Sequence, residues 1–249
     1  MTILIGVLCR EGVIIGADSS ATFGPSPQNV TIEQPYQKID VVGEHVIVAG
    51  TGQIGLGQRF TDIVKMAWNN SVFQKVTSPI EIVKTLCAAG VKDFSSTQAP
   101  NEYGALVAFP YGGRAHLCEF AVRDFQPELK NERLWYVSMG SGQSITDPFL
   151  ALMRRVFWHN DPPSCQDAVF AVTWALQHAI DVNPGGINGP LCLAELAPQK
   201  KGRLQARMIP DGEIGEHLEN VEGAIVHLRT YPTMLQGKSD APDVPRLSS

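Results

Sequence analysis

Charge is scarce in this sequence. Aspartate, glutamate, lysine and arginine make up only 18% of its 249 residues, against about a quarter in ordinary globular domains. So little charge means that much of the chain lies inside the fold or at subunit contacts. What charge there is leans acidic, with a formal net of −5 and no cluster of lysine and arginine. That argues against a nucleic-acid partner. Long apolar runs are missing too. No stretch approaches the ~20 residues of a membrane-spanning helix, so no membrane partner is expected. The first apolar stretch, residues 3–8, is too short for a signal-peptide core and lacks a basic flank and a cleavage site. No targeting segment is therefore expected, and the expected location is cytoplasmic. The five cysteines (Cys9, Cys87, Cys118, Cys165 and Cys192) are scattered, odd in number and never spaced C-x-x-C. They read as reduced, mostly buried thiols and not as a disulfide framework or a metal site. The six histidines show no metal spacing either. No metal and no organic cofactor are expected, and no internal repeat is visible.

Apolar residues are plentiful, at 44%, enough for one sizeable core. Residues 3–8 and 13–17 are apolar and flank a turn signal at Arg10-Glu11-Gly12, which predicts an antiparallel hairpin. Residues 23–29, rich in proline, glycine and polar side chains, predict a loop. A second strand pair is expected at 38–42 and 45–49, turned at Gly43-Glu44. From Gln53 to about Asn69 the apolar residues Leu56, Phe60, Ile63 and Val64 fall at helical spacing. Ser78-Pro79-Ile80-Glu81 predicts the start of another helix, with Ser78 as cap, Pro79 in the first helical position and Glu81 three residues after the cap. Strands are expected at 104–109, 114–120 and 134–138, helices at 147–159 and 164–180, and strands again at 191–196 and 204–209. Strands and helix pairs segregated in this way predict an α+β fold of two stacked antiparallel sheets between helical layers. The tail after Tyr231 is rich in proline, serine and aspartate and is expected to be loose.

Thr2 follows the initiator methionine and heads a buried strand. Its small side chain favours removal of Met1, which would leave a free α-amine beside a hydroxyl. Such an amine has a pKa of about 7.7–8.0 and can act as a base at neutral pH. Threonine paired with its own amine is a known activated nucleophile. Asp18 closes the second strand and Lys38 opens the third. Each alone reads more simply, as a turn residue and a solvated lysine. If the two hairpins share a sheet, however, Asp18 and Lys38 meet beside the start of the first strand. The aspartate would then hold the lysine charged, and the lysine would lower the pKa of the Thr2 hydroxyl.

Val48-Ala49-Gly50-Thr51-Gly52 follows a strand and opens a helix, where a backbone N–H can serve an oxyanion. Gly50 to Gly55 also matches G-x-G-x-x-G, the dinucleotide fingerprint. It follows antiparallel hairpins, precedes a second helix, and lacks the acidic residue that binds ribose, so a dinucleotide-binding reading is the weaker one. Gly140-Ser141-Gly142 reads as a turn with a helix cap, or as a serine that orients an α-amine. Asp181, before Pro184-Gly185-Gly186, reads as the end of a helix.

Taken together, Thr2, Gly16-Ala17-Asp18, Lys38-Ile39, Ala49-Gly50, Gly140-Ser141-Gly142 and Asp181 with Gly185-Gly186 resemble the proteasome β-subunit and HslV superfamily of N-terminal-nucleophile hydrolases. Within it, the lengths are most similar to the β-proteobacterial proteasome homologue and, second, to the ancestral β-subunit (Anbu) type. The resemblance implies a four-layer αββα sandwich over residues 1–222 with a partly loose C-terminal extension at 223–249. It implies a threonine peptidase in a self-compartmentalising homo-oligomer, a double ring of seven, acting on peptides or unfolded proteins. It names no ATPase partner. By motif, Thr2 is the nucleophile, Asp18 and Lys38 activate it, Gly50 is the oxyanion donor, Ser141 and Asp181 support the α-amine, and Ala21 and Thr22 line the substrate groove, Thr22 through its backbone. One departure stands out: Pro184 occupies the place of a customary serine three residues after Asp181, which removes a hydroxyl and an N–H from the supporting network. A catalytically silent scaffold subunit of the same fold is the alternative.

Overall fold

The computed structural model describes residues 2–23, 32–97, 102–159, 161–183, 187–199 and 202–235. Along the chain, β1 (Leu4–Leu8) and β2 (Val13–Ala17) form the expected hairpin. Two short strands follow that the sequence reading does not contain, β3 (Ser20–Phe23) and β4 (Ile32–Pro35). The predicted loop at 23–29 otherwise falls outside the described residues. The second hairpin is β5 (Ile39–Val42) and β6 (Val46–Gly52). Then come α1 (Ile54–Asn69), the short α2 (Val72–Lys75) and α3 (Pro79–Phe94). Next are β7 (Tyr103–Tyr111), β8 (Arg114–Phe120), β9 (Pro127–Leu129) and β10 (Tyr136–Met139). After these, α4 (Gln143–Met153) runs into a π-helical turn at Arg154–Trp158, followed by α5 (Cys165–Val182). Last come β11 (Cys192–Pro198), β12 (Leu204–Met208) and α6 (Asp211–Leu235).

The strands build two five-stranded antiparallel sheets, ordered β10-β1-β2-β11-β12 and β5-β6-β7-β8-β9. Side chains alternate across a strand, and the alternation sorts the interior into three cores. Leu4, Ile15 and Ala17 meet Ile47, Ala49 and Leu106 between the sheets. Ile3, Ile5, Val7 and Ile14 face α4 and α5, against Leu150, Val172 and Leu176. Val46, Val48 and Val107 face α1 and α3, against Phe60, Val64 and Leu86. Three apolar seams between four layers make the αββα sandwich.

Some details differ from expectation. Helix α3 begins at Pro79 as predicted, but Ser78 makes no side-chain cap bond. Glu81 reaches one residue further back, to the N–H of Thr77 at 2.8 Å and to its hydroxyl. Helix α4 starts four residues before the predicted Asp147, with Pro148 inside it. The sequence reading has no helix at α6, which runs straight through residue 222, where that reading ends the core domain. Of the expected loose tail, residues 236–249 lie outside the described residues. Among the described residues, no helix is long and apolar enough to cross a membrane.

Candidate active site

Strand register brings four of the sequence-nominated side chains to one end of the first sheet. In the β1–β2 hairpin Leu4 pairs with Ala17, so Ile3 and Asp18 stand opposite each other just past the ladder. The Ile3 N–H donates to Asp18 Oδ1 at 2.8 Å, and the Asp18 N–H donates to the Ile3 carbonyl at 3.4 Å. On the other side of β1, Leu4 pairs with Met139, which carries the loop after β10 across Thr2. There the Gly142 N–H donates to the Thr2 carbonyl at 3.3 Å, and the Thr2 N–H donates to Ser141 Oγ at 3.1 Å. The approach is so close that a Cβ on Gly140 would stand 2.3 Å from the Thr2 carbonyl oxygen. Gly140 also has a φ of +93°, so only glycine fits. Asp147 braces this loop from within α4, accepting from the Ser138 hydroxyl and, at 3.0 Å, from Gln143 Nε2.

Lys38 reaches the same point from the second sheet. Its Nζ lies 2.7 Å from Asp18 Oδ1, with the two side chains 4% and 0% exposed. A buried ion pair survives only when further hydrogen bonds satisfy it. Asp18 has them, since Oδ1 also holds the Ile3 N–H and Oδ2 accepts from the Ser20 N–H at 3.3 Å. One carboxylate therefore fixes the backbone beside Thr2 and a cation beneath it.

Thr2 and Lys38 open onto a cavity of about 600 Å³ including its mouth, which Ala21 and Gly50 also line. The Gly50 N–H, the nominated oxyanion donor, is already engaged, donating to the Lys38 carbonyl at 3.2 Å just past the β5–β6 ladder. Thr22 lies in β3, paired with Glu33; its side chain is outside the described residues. Asp181 is not brought to the others. Its carboxylate is exposed and accepts from Gln177 Nε2, one turn back on α5, at 2.7 Å. Pro184, Gly185 and Gly186 lie outside the described residues.

The cavity wall also holds residues that the sequence reading misses: Tyr36, Asp40, Thr61 and Tyr103. They come from three separate stretches of chain; Tyr36 and Asp40 flank Lys38 at two-residue spacing, whereas no spacing links Thr61 or Tyr103 to them. Burial, aided by the charge of Asp40, pushes both phenols above the usual tyrosine range. For Tyr103 the neighbouring Tyr36 adds to the shift. Both are neutral hydrogen-bonding groups at physiological pH. The segment Gly50 to Gly55 does not form a nucleotide-binding unit. β6 is antiparallel to both its neighbours, and α1 is followed by two more helices before the next strand. Among the described residues, no group of three or more His, Cys, Asp or Glu is placed to hold a metal ion.

Comparison with known proteins gives the family and the fold. The family model described as proteasome subunit matches residues 2–188; the chain belongs to the proteasome subunit family. Local similarity falls on β subunits. Proteasome subunit beta 2 of Pyrococcus furiosus is 35% identical over 54 residues, covering 22% of this chain and 24% of that protein. The proteasome subunit beta of Nanoarchaeum equitans is 31% identical over 65 residues, covering 26% and 31%. The matched stretch thus spans about a quarter to a third of these relatives' length. The Anbu (ancestral beta-subunit) structure from Yersinia bercovieri superposes over 99% of both chains, with a TM-score of 0.70 at 13% identity. That likeness shows the shared fold, and it falls on the type ranked second from the sequence.

Proposed function

We propose that the chain is a threonine-type peptidase subunit, with Thr2 as nucleophile once Met1 is removed. The observation that carries the reading is the clamp on Thr2: its nitrogen lies 3.1 Å from Ser141 Oγ, and the buried Asp18–Lys38 pair sits next to it. In this mechanism the Thr2 α-amine, held by Ser141, takes the proton from the hydroxyl as that oxygen attacks the scissile carbonyl. The Lys38 charge favours the developing alkoxide. Gly50 shares its N–H between the Lys38 carbonyl and the oxyanion as a three-centre bond. The amine returns its proton to the leaving nitrogen, and water then cleaves the Thr2 ester. An extended substrate is accommodated by β3, whose only strand partner among the described residues is β4. The edge at Ala21 and Thr22 can therefore pair with a peptide backbone.

Self-assembly belongs to the same proposal. Leu152, Val156 and Phe157 stay about half exposed on α4 and the turn after it, an apolar stripe that a second copy would cover. A cytoplasmic double ring of seven is the expected form, and a monomer or dimer by light scattering at micromolar concentration rejects it. A catalytically silent ring subunit is the second reading. It is favoured by the detached Asp181 and by Pro184.

The test is release of a fluorophore from short peptides by purified protein whose intact mass shows loss of one methionine. Thr2→Ala should abolish turnover, by about a thousandfold or more, with assembly unchanged; Thr2→Ser should retain part of it. Undiminished hydrolysis by Thr2→Ala rejects the nucleophile assignment. A processed but inactive parent supports the silent reading.

A further inference from the structure

We propose that the cavity beside Thr2 is a pocket for a cationic side chain, so that the favoured substrate carries arginine or lysine on the acyl side of the cleaved bond. This deepens the peptidase reading and rests on it. Among the described residues lining the cavity, the charged ones are Lys38 and Asp40. Lys38 is ion-paired with Asp18 and almost fully buried. Asp40 is exposed. It alternates with Ile39, whose side chain packs between the sheets, so Asp40 projects towards α1, where its Oδ2 accepts from Thr61 Oγ1 at 3.2 Å. The cavity therefore offers one accessible negative charge. At the rim, Gln53 holds a second carboxylate, that of Glu102.

The rest of the lining suits a long cation. Tyr36 and the hydroxyl edge of Tyr103 line the wall, and both phenols stay protonated beside Asp40 because ionising them is opposed by burial and by its charge. Val48, Ile54 and Gly57 complete the wall, apolar enough for the methylene stem of lysine or arginine. The Tyr103 hydroxyl lies 2.6 Å from where a Cβ on Gly50 would stand, so the ring is packed against backbone at the nucleophile's end of the pocket. A guanidinium placed here meets a carboxylate with phenol hydroxyls as its neighbours. An acidic side chain would be repelled by Asp40, and an apolar one would strip water from that carboxylate without replacing it.

The test compares two fluorescent peptides that are identical except for a C-terminal arginine amide or its neutral isostere citrulline. Each is titrated by anisotropy into the full-length protein. The arginine peptide should bind at least about tenfold more tightly, the value of one charge-assisted contact. Asp40→Asn should bring that ratio close to one, and Asp40→Glu should keep part of it. A ratio near one in the parent, a ratio untouched by Asp40→Asn, or no binding of either peptide overturns the proposal. Binding needs no turnover, so a silent enzyme leaves this test intact. Adduct formation on Thr2 by a threonine-directed covalent inhibitor reports separately on the peptidase reading.

Discussion

Two aspartates nominated from the sequence ended in opposite surroundings. Asp18 is fully buried and holds Lys38 together with the N–H groups of Ile3 and Ser20. Asp181 is exposed and bonds to its own helix through Gln177. The difference lies in what precedes each. Asp18 follows directly on a strand whose register with β1 is fixed by five residue pairs, and a one-residue slip would swap Val13, Ile15 and Ala17 of the inter-sheet core with Ile14 and Gly16, where Gly16 lies too close to Val172 and Leu176 of α5 to carry a side chain. Asp181 stands in the last turn of α5, ahead of a Pro-Gly-Gly stretch, where no ladder dictates direction. A residue next to a paired strand has its direction set by the ladder; one in the last turn of a helix does not.

The hardest test of this contrast is Asp18→Ala. It takes the Asp18 carboxylate away from buried Lys38 and removes an acceptor of the Ile3 and Ser20 N–H groups. The expected loss is about 3–5 kcal/mol of unfolding free energy in urea, together with all turnover. A loss under about 1 kcal/mol breaks the comparison. Lys38→Ala is the next largest. Turnover should fall by about 10²–10⁴-fold, the range of a proton-transfer partner, with light scattering unchanged. Lys38→Arg should fail as well, because the guanidinium has the charge but not the compact shape. Near-normal rates in either variant move the activating group elsewhere. Ser141→Ala removes one hydrogen bond to the Thr2 nitrogen, worth about 1 kcal/mol. The rate should drop roughly fivefold with little change in stability, and a drop beyond about a hundredfold gives Ser141 a larger part. Asp181→Asn is the smallest, within about twofold, since an amide oxygen can still accept from Gln177. A tenfold loss in the assembled protein would mean that assembly draws Asp181 inward, and the contrast would dissolve.

Much of the architecture is legible in the sequence because apolar runs bounded by turn residues mark most strands of both sheets. The strands that escape notice are short. Ile32–Pro35 and Pro127–Leu129 each contain proline and little apolar pattern. Helix α4 begins four residues before the predicted range and accepts Pro148 in its second turn. Helix α6 is missed for a different reason. Its apolar residues are shared between a buried face, with Ile214 and Val221, and an exposed one, with Val226, Leu228 and Tyr231, so no clean stripe appears. In the site, Thr2, Asp18, Lys38 and Ser141 come together because each sits at or next to a strand end. Asp40 is overlooked although it stands two residues after Lys38; Thr61 and Tyr103 are invisible beforehand because the packing of α1 on the second sheet, not spacing, makes them its neighbours.

The hold on Thr2 carries a consequence for the order of events in biosynthesis. The threonine is pinned through its nitrogen and its carbonyl, and Ile3 behind it has no exposed surface. An exopeptidase needs a free, extended terminus several residues long. Once β1 has zippered between β2 and β10, that length no longer exists. If Met1 is removed, as the proposed peptidase mechanism requires, the removal must come before β1 folds, while the chain is still emerging from the ribosome. Slowing the exopeptidase should produce a mixed population, in which late-trimmed copies stay capped for the lifetime of the folded state.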